Sequence, residues 1–154
     1  MATACWDNNG QVSQVDTVSA ATRSAMMSKV RSKNTRPELA VRKIVWALGR
    51  RYRLHVADLP GKPDVVFPKD RKVIRVQGCY WHPHTPCKIA RLPKSHRDYW
   101  LPKLKGNCER DERNLRLLLR AGWKVVTIRE CQLRNPERVK DRLKAFLATP
   151  RMNS

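Results

Sequence analysis

The chain has 154 residues, with 33 Lys and Arg against 13 Asp and Glu, a formal charge of +20. That length supports one hydrophobic core. No apolar run approaches the roughly 18 residues of a membrane span, and no signal-peptide pattern opens the chain, so a cytosolic protein without a membrane role is expected. So large a basic surplus repels itself within a compact domain unless a polyanion relieves it, which points to nucleic acid as the partner.

Residues 1–21 contain no Lys or Arg and only Asp7 and Asp16. They lack a hydrophobic period and read as a disordered leader ahead of a domain over 22–148, with 149–154 as a tail. Thr22 to Ser32 forms a basic segment with an apolar side that includes Met26, Met27 and Val30. Thr35-Arg36-Pro37-Glu38 fits a capping box with Thr35 as N-cap and Glu38 reaching back to its backbone. The helix that follows buries Val41, Ile44, Val45 and Leu48, spaced i, i+3, i+4, i+7.

Strands are expected over Tyr52 to Val56, Asp64 to Phe67 and Lys72 to Gln77, divided by the Pro60-Gly61-Lys62-Pro63 turn and the Pro68-Lys69-Asp70 break. Two helices come next, Ser95 to Leu104 and Asn107 to Ala121, the second ended by Gly122 and carrying Cys108, Leu115, Leu118 and Leu119 on one face. Lys124 to Ile128 reads as a buried strand, and Asn135-Pro136 starts a last helix with an N-cap followed by Pro. The order α, β, β, β, α, α, β, α suits an α/β domain with a mixed sheet flanked by helices.

The chemistry is concentrated in Gly78-Cys79-Tyr80-Trp81-His82-Pro83-His84-Thr85-Pro86-Cys87. Five cysteines in a reducing compartment are better explained as thiols or metal ligands than as disulfides. Cys79, His84 and Cys87 have the spacing C-x4-H-x2-C, so two thiolates and one imidazole converge from a single loop. A structural Zn²⁺ needs a fourth ligand. Cys131, just past the last core strand, is the candidate and Cys108 the competitor, although its helical phase suits a core thiol; Cys5 lies in the leader. His82 is left over when the tetrahedron is full, and a loop histidine outside the metal shell suits a general base. Asp64 opens a strand close to the end of the next one, a placement that can hold a hard cation such as Mg²⁺ against a phosphate, with turn capping as the alternative.

Together with Thr22-Arg23-Ser24, Thr35-Arg36-Pro37-Glu38, Leu59-Pro60-Gly61-Lys62-Pro63-Asp64, Tyr99-Trp100-Leu101, Asn107 with Glu109-Arg110-Asp111, Ala121-Gly122-Trp123 and Glu130-Cys131, the loop resembles the very-short-patch (Vsr) mismatch endonucleases over roughly residues 22–147. That resemblance implies a restriction-endonuclease-like PD-(D/E)XK single domain with an αβββαβ core and a zinc-bound loop. It implies a nick in one strand of duplex DNA, 5′ to the thymine of a T:G mismatch left by deamination of 5-methylcytosine. Asp64 would hold catalytic Mg²⁺ with the backbone carbonyl of Val76, and His82 would activate water. Cys79, His84, Cys87 and Cys131 would hold structural Zn²⁺. Tyr80, Trp81 and Trp100 would enter the stack beside the mismatch from the major groove, and Met27 from the minor groove.

Three positions depart from that pattern. Gln77 stands in the catalytic set where family members often have Asp or His; Glu38 substitutes for an acid that some members carry at the position of Val41; and two residues separate His84 from Cys87 where others can have one. The implied partners are double-stranded DNA with a mismatch and mismatch-repair proteins, with a monomeric chain in the cytoplasm that joins the nucleoid when bound to DNA. A catalytically weak DNA-binding module, motivated by Gln77, and a nicking or restriction nuclease of the same fold with another target are the alternatives.

Overall fold

The computed structural model describes residues 19–94 and 96–149. The expected leader, with Cys5, lies outside the described residues except for its end: helix α1 spans Ala20–Ser28, so residues 20 and 21 are helical. Ser19 caps α1 by accepting the Thr22 N–H at 3.2 Å. No side chain of α1 is buried. Its Arg23 guanidinium lies 5.8 Å from the Tyr99 ring centre, and its Met27 is half-buried.

Helix α2 covers Arg36–Ala47 and buries Val41 and Val45 completely, with Ile44 and Leu48 packed half-buried beside them. Its cap differs from the expected box. Thr35 donates its hydroxyl to Glu38 Oε1 at 2.9 Å instead of capping, and Glu38 Oε2 reaches one residue further back, to the Asn34 N–H at 2.9 Å.

Strands β1 (Arg53–Leu54), β2 (Val65–Phe67), β3 (Lys72–Gln77) and β4 (Lys124–Arg129) form one sheet in the order β1-β2-β3-β4. The first three pair antiparallel and β4 joins β3 in parallel. β1 is shorter than expected because His55 takes φ +45°, a left-handed conformation that ends the strand. A parallel pair needs a long crossover, and that crossover is helix α3, Arg97–Arg120.

α3 is one helix where two were expected. Pro102 and Gly106 are local breakers, and Pro102 removes a backbone donor in the second turn, but Leu104, Cys108 and Leu118 bury one side along the length and hold the helix together. Leu119, expected on that buried face, is 52% exposed. A 3-10 turn over Glu130–Arg134 follows β4, and helix α4, Pro136–Ala148, starts at Asn135, whose side chain accepts the Arg138 N–H at 3.1 Å.

Side-chain alternation along the strands divides the interior into two layers. Val65, Phe67, Ile74, Val126 and Ile128 face α2 and α4, meeting Val41, Val45, Val139, Leu143 and Leu147. Val66 and Val73 face the other way, toward Leu118 of α3 with Trp123 and Val125 beside it. Lys72 is 1% exposed, yet its ammonium is satisfied: Nζ donates to the Leu147 carbonyl at 2.9 Å and the Thr149 carbonyl at 2.5 Å, the open end of α4. Burial holds that ammonium below its ordinary pKa. Among the described residues no helix is long and apolar enough to cross a membrane.

Leu143 is fully buried and Trp46 is 74% exposed. Leu143→Ala is therefore expected to lower unfolding free energy by about 2–5 kcal/mol, and Trp46→Ala to leave it within about 0.5 kcal/mol, measured as denaturant midpoints at unchanged m-value.

Candidate active site and metal centre

The turn into β2 sets the first part of the site. Gly61 takes φ +72°, and a Cβ there would lie 2.8 Å from Asn114 Nδ2 of α3, so the chain passes tightly beneath that helix before it reaches Asp64. Asp64 Oδ2 then accepts the Val76 N–H at 2.6 Å, fastening the start of β2 to the end of β3. Ligand atoms of Glu38, His55 and Asp64 lie within 4.8 Å of one another. Burial pushes the Asp64 carboxyl above its ordinary pKa, the Val76 N–H opposes this, and Glu38 adds to the rise. Two carboxylates and an imidazole at this separation are a donor set that a divalent cation relieves, so the residues fit such an ion.

Glu38 is 5% exposed and accepts from Asn34 N, Thr35 Oγ1 and Arg42 Nη2, the last at 3.1 Å. The helix start and the carboxylate cluster thus share one side chain. Val41 lies wholly in the core.

His82 approaches the same groove from the loop after β3. Its N–H donates to the Gly78 carbonyl at 3.1 Å, closing a turn, and its Nδ1 faces Asp111 Oδ2 of α3. Gln77 Nε2 donates to that same oxygen at 3.1 Å, and Arg75 Nη2 lies 3.4 Å from Oδ1. Nδ1 is close to that carboxylate without an aligned hydrogen bond, and a proton kept on Nδ1 beside it leaves the lone pair on Nε2. A groove of about 1100 Å³ includes Asp64, Val76, His82, Met27, Trp81 and Arg110 in its walls.

On the far side of the loop, Cys79, His84, Cys87 and Cys131 bring their ligand atoms within 4.8 Å of one another. In a zinc tetrahedron the edge between a sulfur and a nitrogen ligand is about 3.6 Å. His84 Nε2 lies 3.4 Å from Cys79 Sγ and 3.7 Å from Cys131 Sγ. Burial pushes the Cys79 thiol up to about 12, so a cation is what would make it a thiolate. Burial also acts on Cys87, but the N–H groups of Ala90 and Ile89 outweigh it and draw that thiol down; burial and then Arg129 hold His84 below its usual range. Cys108 does not join the four. It sits on α3 and lines a smaller cavity of about 270 Å³ with Thr127 and Glu112.

The aromatic residues form one cluster. Tyr80 and Trp81 meet edge to face at 4.9 Å, and Trp100 lies 6.1 Å from Tyr80 and 6.2 Å from Trp81. All three are half-buried. Met27, on α1, lines the same groove as Trp81.

The sequence profile described as "DNA mismatch endonuclease Vsr" matches residues 15–88. The type II nicking enzyme V.XorIIP of Xanthomonas oryzae is 47% identical over 132 residues, 86% of this chain and 96% of that protein. The type II nicking enzyme V.NmeAIP of Neisseria meningitidis is 41% identical, covering 83% of this chain and 91% of its own. The DNA mismatch endonuclease Vsr of Escherichia coli is 36% identical over 79% of this chain and 77% of its own. The chain belongs to the Vsr family. Vsr family members are DNA endonucleases, and two groups escaped the sequence reading in this one: Asp111, which lines the groove, and His55, which stands with Glu38 and Asp64. Asp111 carried a signal, since it sits in the Glu109-Arg110-Asp111 motif, but no spacing tied it to His82. His55 carried none, being an ordinary position in an alternating strand pattern.

Binding energy at a closed soft-metal site is folding energy. Purified protein is expected to hold one tightly bound metal ion, and Cys131→Ala to lose it together with thermal stability, while Cys108→Ala keeps it. Elemental analysis beside thermal melts checks this; retention by Cys131→Ala with loss in Cys108→Ala would move the fourth ligand to α3.

Proposed function

We propose that the protein nicks one strand of duplex DNA 5′ to the thymine of a T:G mismatch, with Mg²⁺ as catalytic ion, Zn²⁺ as structural ion and a PD-(D/E)XK fold. The observation that carries this reading is one groove walled by both Asp64, beside Glu38 and the end of β3, and His82, held by Asp111.

Asp64, with the Val76 carbonyl, would hold Mg²⁺, which when bound supplies Lewis-acid polarisation of the scissile phosphate. Zn²⁺ on Cys79, His84, Cys87 and Cys131 would fix the loop to the chain after β4. His82 Nε2 accepts a proton from the attacking water, and the Asp111 carboxylate orients the ring through Nδ1 and stabilises the imidazolium that forms. Gln77 cannot act as a base; its amide donates to Asp111 and so steadies the pair, which favours an enzyme over a catalytically weak module. Lys103 and Arg110 at the groove supply phosphate contacts that carry no sequence information. Tyr80, Trp81 and Trp100, together with Met27, would unstack the duplex where a mismatch makes that least costly. The setting would be the cytoplasm, on chromosomal DNA, by a monomer working beside mismatch-repair proteins.

Asp64→Asn is expected to abolish nicking in Mg²⁺ while T:G duplex binding stays within about threefold, and His82→Ala to slow single-turnover cleavage by roughly 10²- to 10⁴-fold. Gel assays on otherwise identical T:G, T:A and U:G duplexes read both; wild type that binds T:G DNA and never cuts it would leave a binding module.

Discrimination is expected to follow the rings. Trp81→Ala should reduce the T:G over T:A preference by about tenfold, the loss of one stacked ring, with the salt dependence of binding unchanged. Equal weakening on both duplexes would assign the ring to the fold alone.

A further inference from the structure

We propose that His55 is a third ligand of the divalent-cation site at Asp64 and that its imidazole gives this site a preference for Mn²⁺ over Mg²⁺. The inference rests on the reading of Asp64 as a cation ligand and adds a residue and an ion preference to it.

The backbone is the first argument. His55 ends β1 in the left-handed region, at φ +45°, which costs a residue with a Cβ roughly 1–2 kcal/mol. Such strain persists where the surroundings hold it. Here it brings the ring inward from an otherwise exposed two-residue strand: the His55 side chain is 17% exposed and its Nε2 lies 3.7 Å from Glu38 Oε2.

The second argument concerns which nitrogen carries the lone pair. Arg42 Nη2 lies 3.1 Å from His55 Nε2, and a guanidinium offers only N–H donors, so Nε2 must accept. Nε2 of His55 then offers the lone pair that a metal ion requires, in the group where Glu38 and Asp64 converge. Arg42 keeps Asn34 Oδ1 at 2.7 Å and Glu38 Oε2 at 3.1 Å as partners when that lone pair goes to an ion.

The third argument is donor chemistry. An all-oxygen site suits Mg²⁺, which binds carboxylates, phosphates and water. A neutral imidazole adds little for that ion and more for divalent transition ions, among which Mn²⁺ still accepts carboxylates readily. One nitrogen with two carboxylates therefore shifts the balance toward Mn²⁺ without excluding Mg²⁺.

The test uses the full-length protein with its Cys and His metal site loaded. Mn²⁺ binding is titrated by the loss of the free-ion paramagnetic resonance signal, and Mg²⁺ by competition against it, for wild type, His55→Ala, His55→Gln and Asp64→Asn, each checked for folding by circular dichroism. Wild type is expected to bind Mn²⁺ about tenfold or more tighter than Mg²⁺, and both His55 variants to lose most of that ratio through weaker Mn²⁺ binding. Pulsed resonance of the Mn²⁺ complex should show coupling to a nitrogen nucleus that survives His82→Ala and vanishes in His55→Ala. Absence of nitrogen coupling in wild type, its loss in His82→Ala instead, or equal weakening of both ions in the His55 variants would each overturn the proposal, and the wild-type spectrum decides even if a variant fails to fold. Unchanged binding of both ions by Asp64→Asn would instead remove the underlying reading of Asp64.

Discussion

The parallel register of β3 on β4 is the constraint from which the rest of the site follows. Gln77 stands beside Arg129, so the residues two further along each strand, Cys79 and Cys131, emerge side by side. The Cys131 N–H donates to Cys79 Sγ at 3.3 Å, and the Cys79 N–H donates to Glu130 Oε2 at 3.2 Å. A slip of one residue would turn Ile74, Val126 and Ile128 out of the core, so the apolar layers that stabilise the domain also hold the register that assembles the thiols. The same strand end donates the Val76 N–H to Asp64. Core packing, the Cys and His cluster and the carboxylate cluster are thus consequences of one pairing.

Charge is distributed against the average of the chain. Few acidic groups are present among so many cations, and Glu38, Asp64 and Asp111 are drawn to one groove whose rim includes Lys103 and Arg110. A polyanion is attracted by the surface as a whole and would meet these three carboxylates together at the groove. Carboxylates there repel a phosphate unless a divalent cation lies between them, so binding and cutting make opposite electrostatic demands on adjacent residues. Asp111 stands beside Nδ1 of His82, so the proposed role of that ring needs Nε2 on the phosphate side. Gln77 sharpens the point: a neutral amide can donate to Asp111, which a second carboxylate could not do without a proton.

What could be read from the chain depended on how local the signal was. Cys79, His84 and Cys87, which the fold brings together with Cys131, are close in sequence, and the stripe of Val41, Ile44, Val45 and Leu48 has a helical period, so both groupings were legible. Helix α3 was divided wrongly because Pro102 and Gly106 are strong local breakers, whereas the burial of Leu104, Cys108 and Leu118 against distant strands decides the outcome. Leu119 shared a nominal helical face with Leu118, but the sheet covers only part of that arc. His55 was illegible for a different reason. A left-handed backbone at a histidine has no pattern in neighbouring residues, and its partners Glu38 and Arg42 belong to another helix.

The aromatic cluster shows how a small balance could become discrimination. Tyr80, Trp81 and Trp100 already touch one another edge to face or tilted, contacts worth about 0.5–1.5 kcal/mol for each pair. In the proposed complex, entering a duplex would exchange some of these contacts for stacking on bases, worth about 1–3 kcal/mol per ring. The gain and the loss are similar in size, so the rings have little net drive to open a well-paired step, whose unstacking adds a few kcal/mol. At a mismatch that opposing cost is reduced while the two ring terms stay the same. The sign of the sum can therefore change between paired and mispaired DNA with no hydrogen bond reading a base, provided that the rings are held together until DNA arrives. The loop supplies that condition, because Tyr80 and Trp81 follow Cys79 directly and cannot leave the cluster without pulling on the Cys and His site.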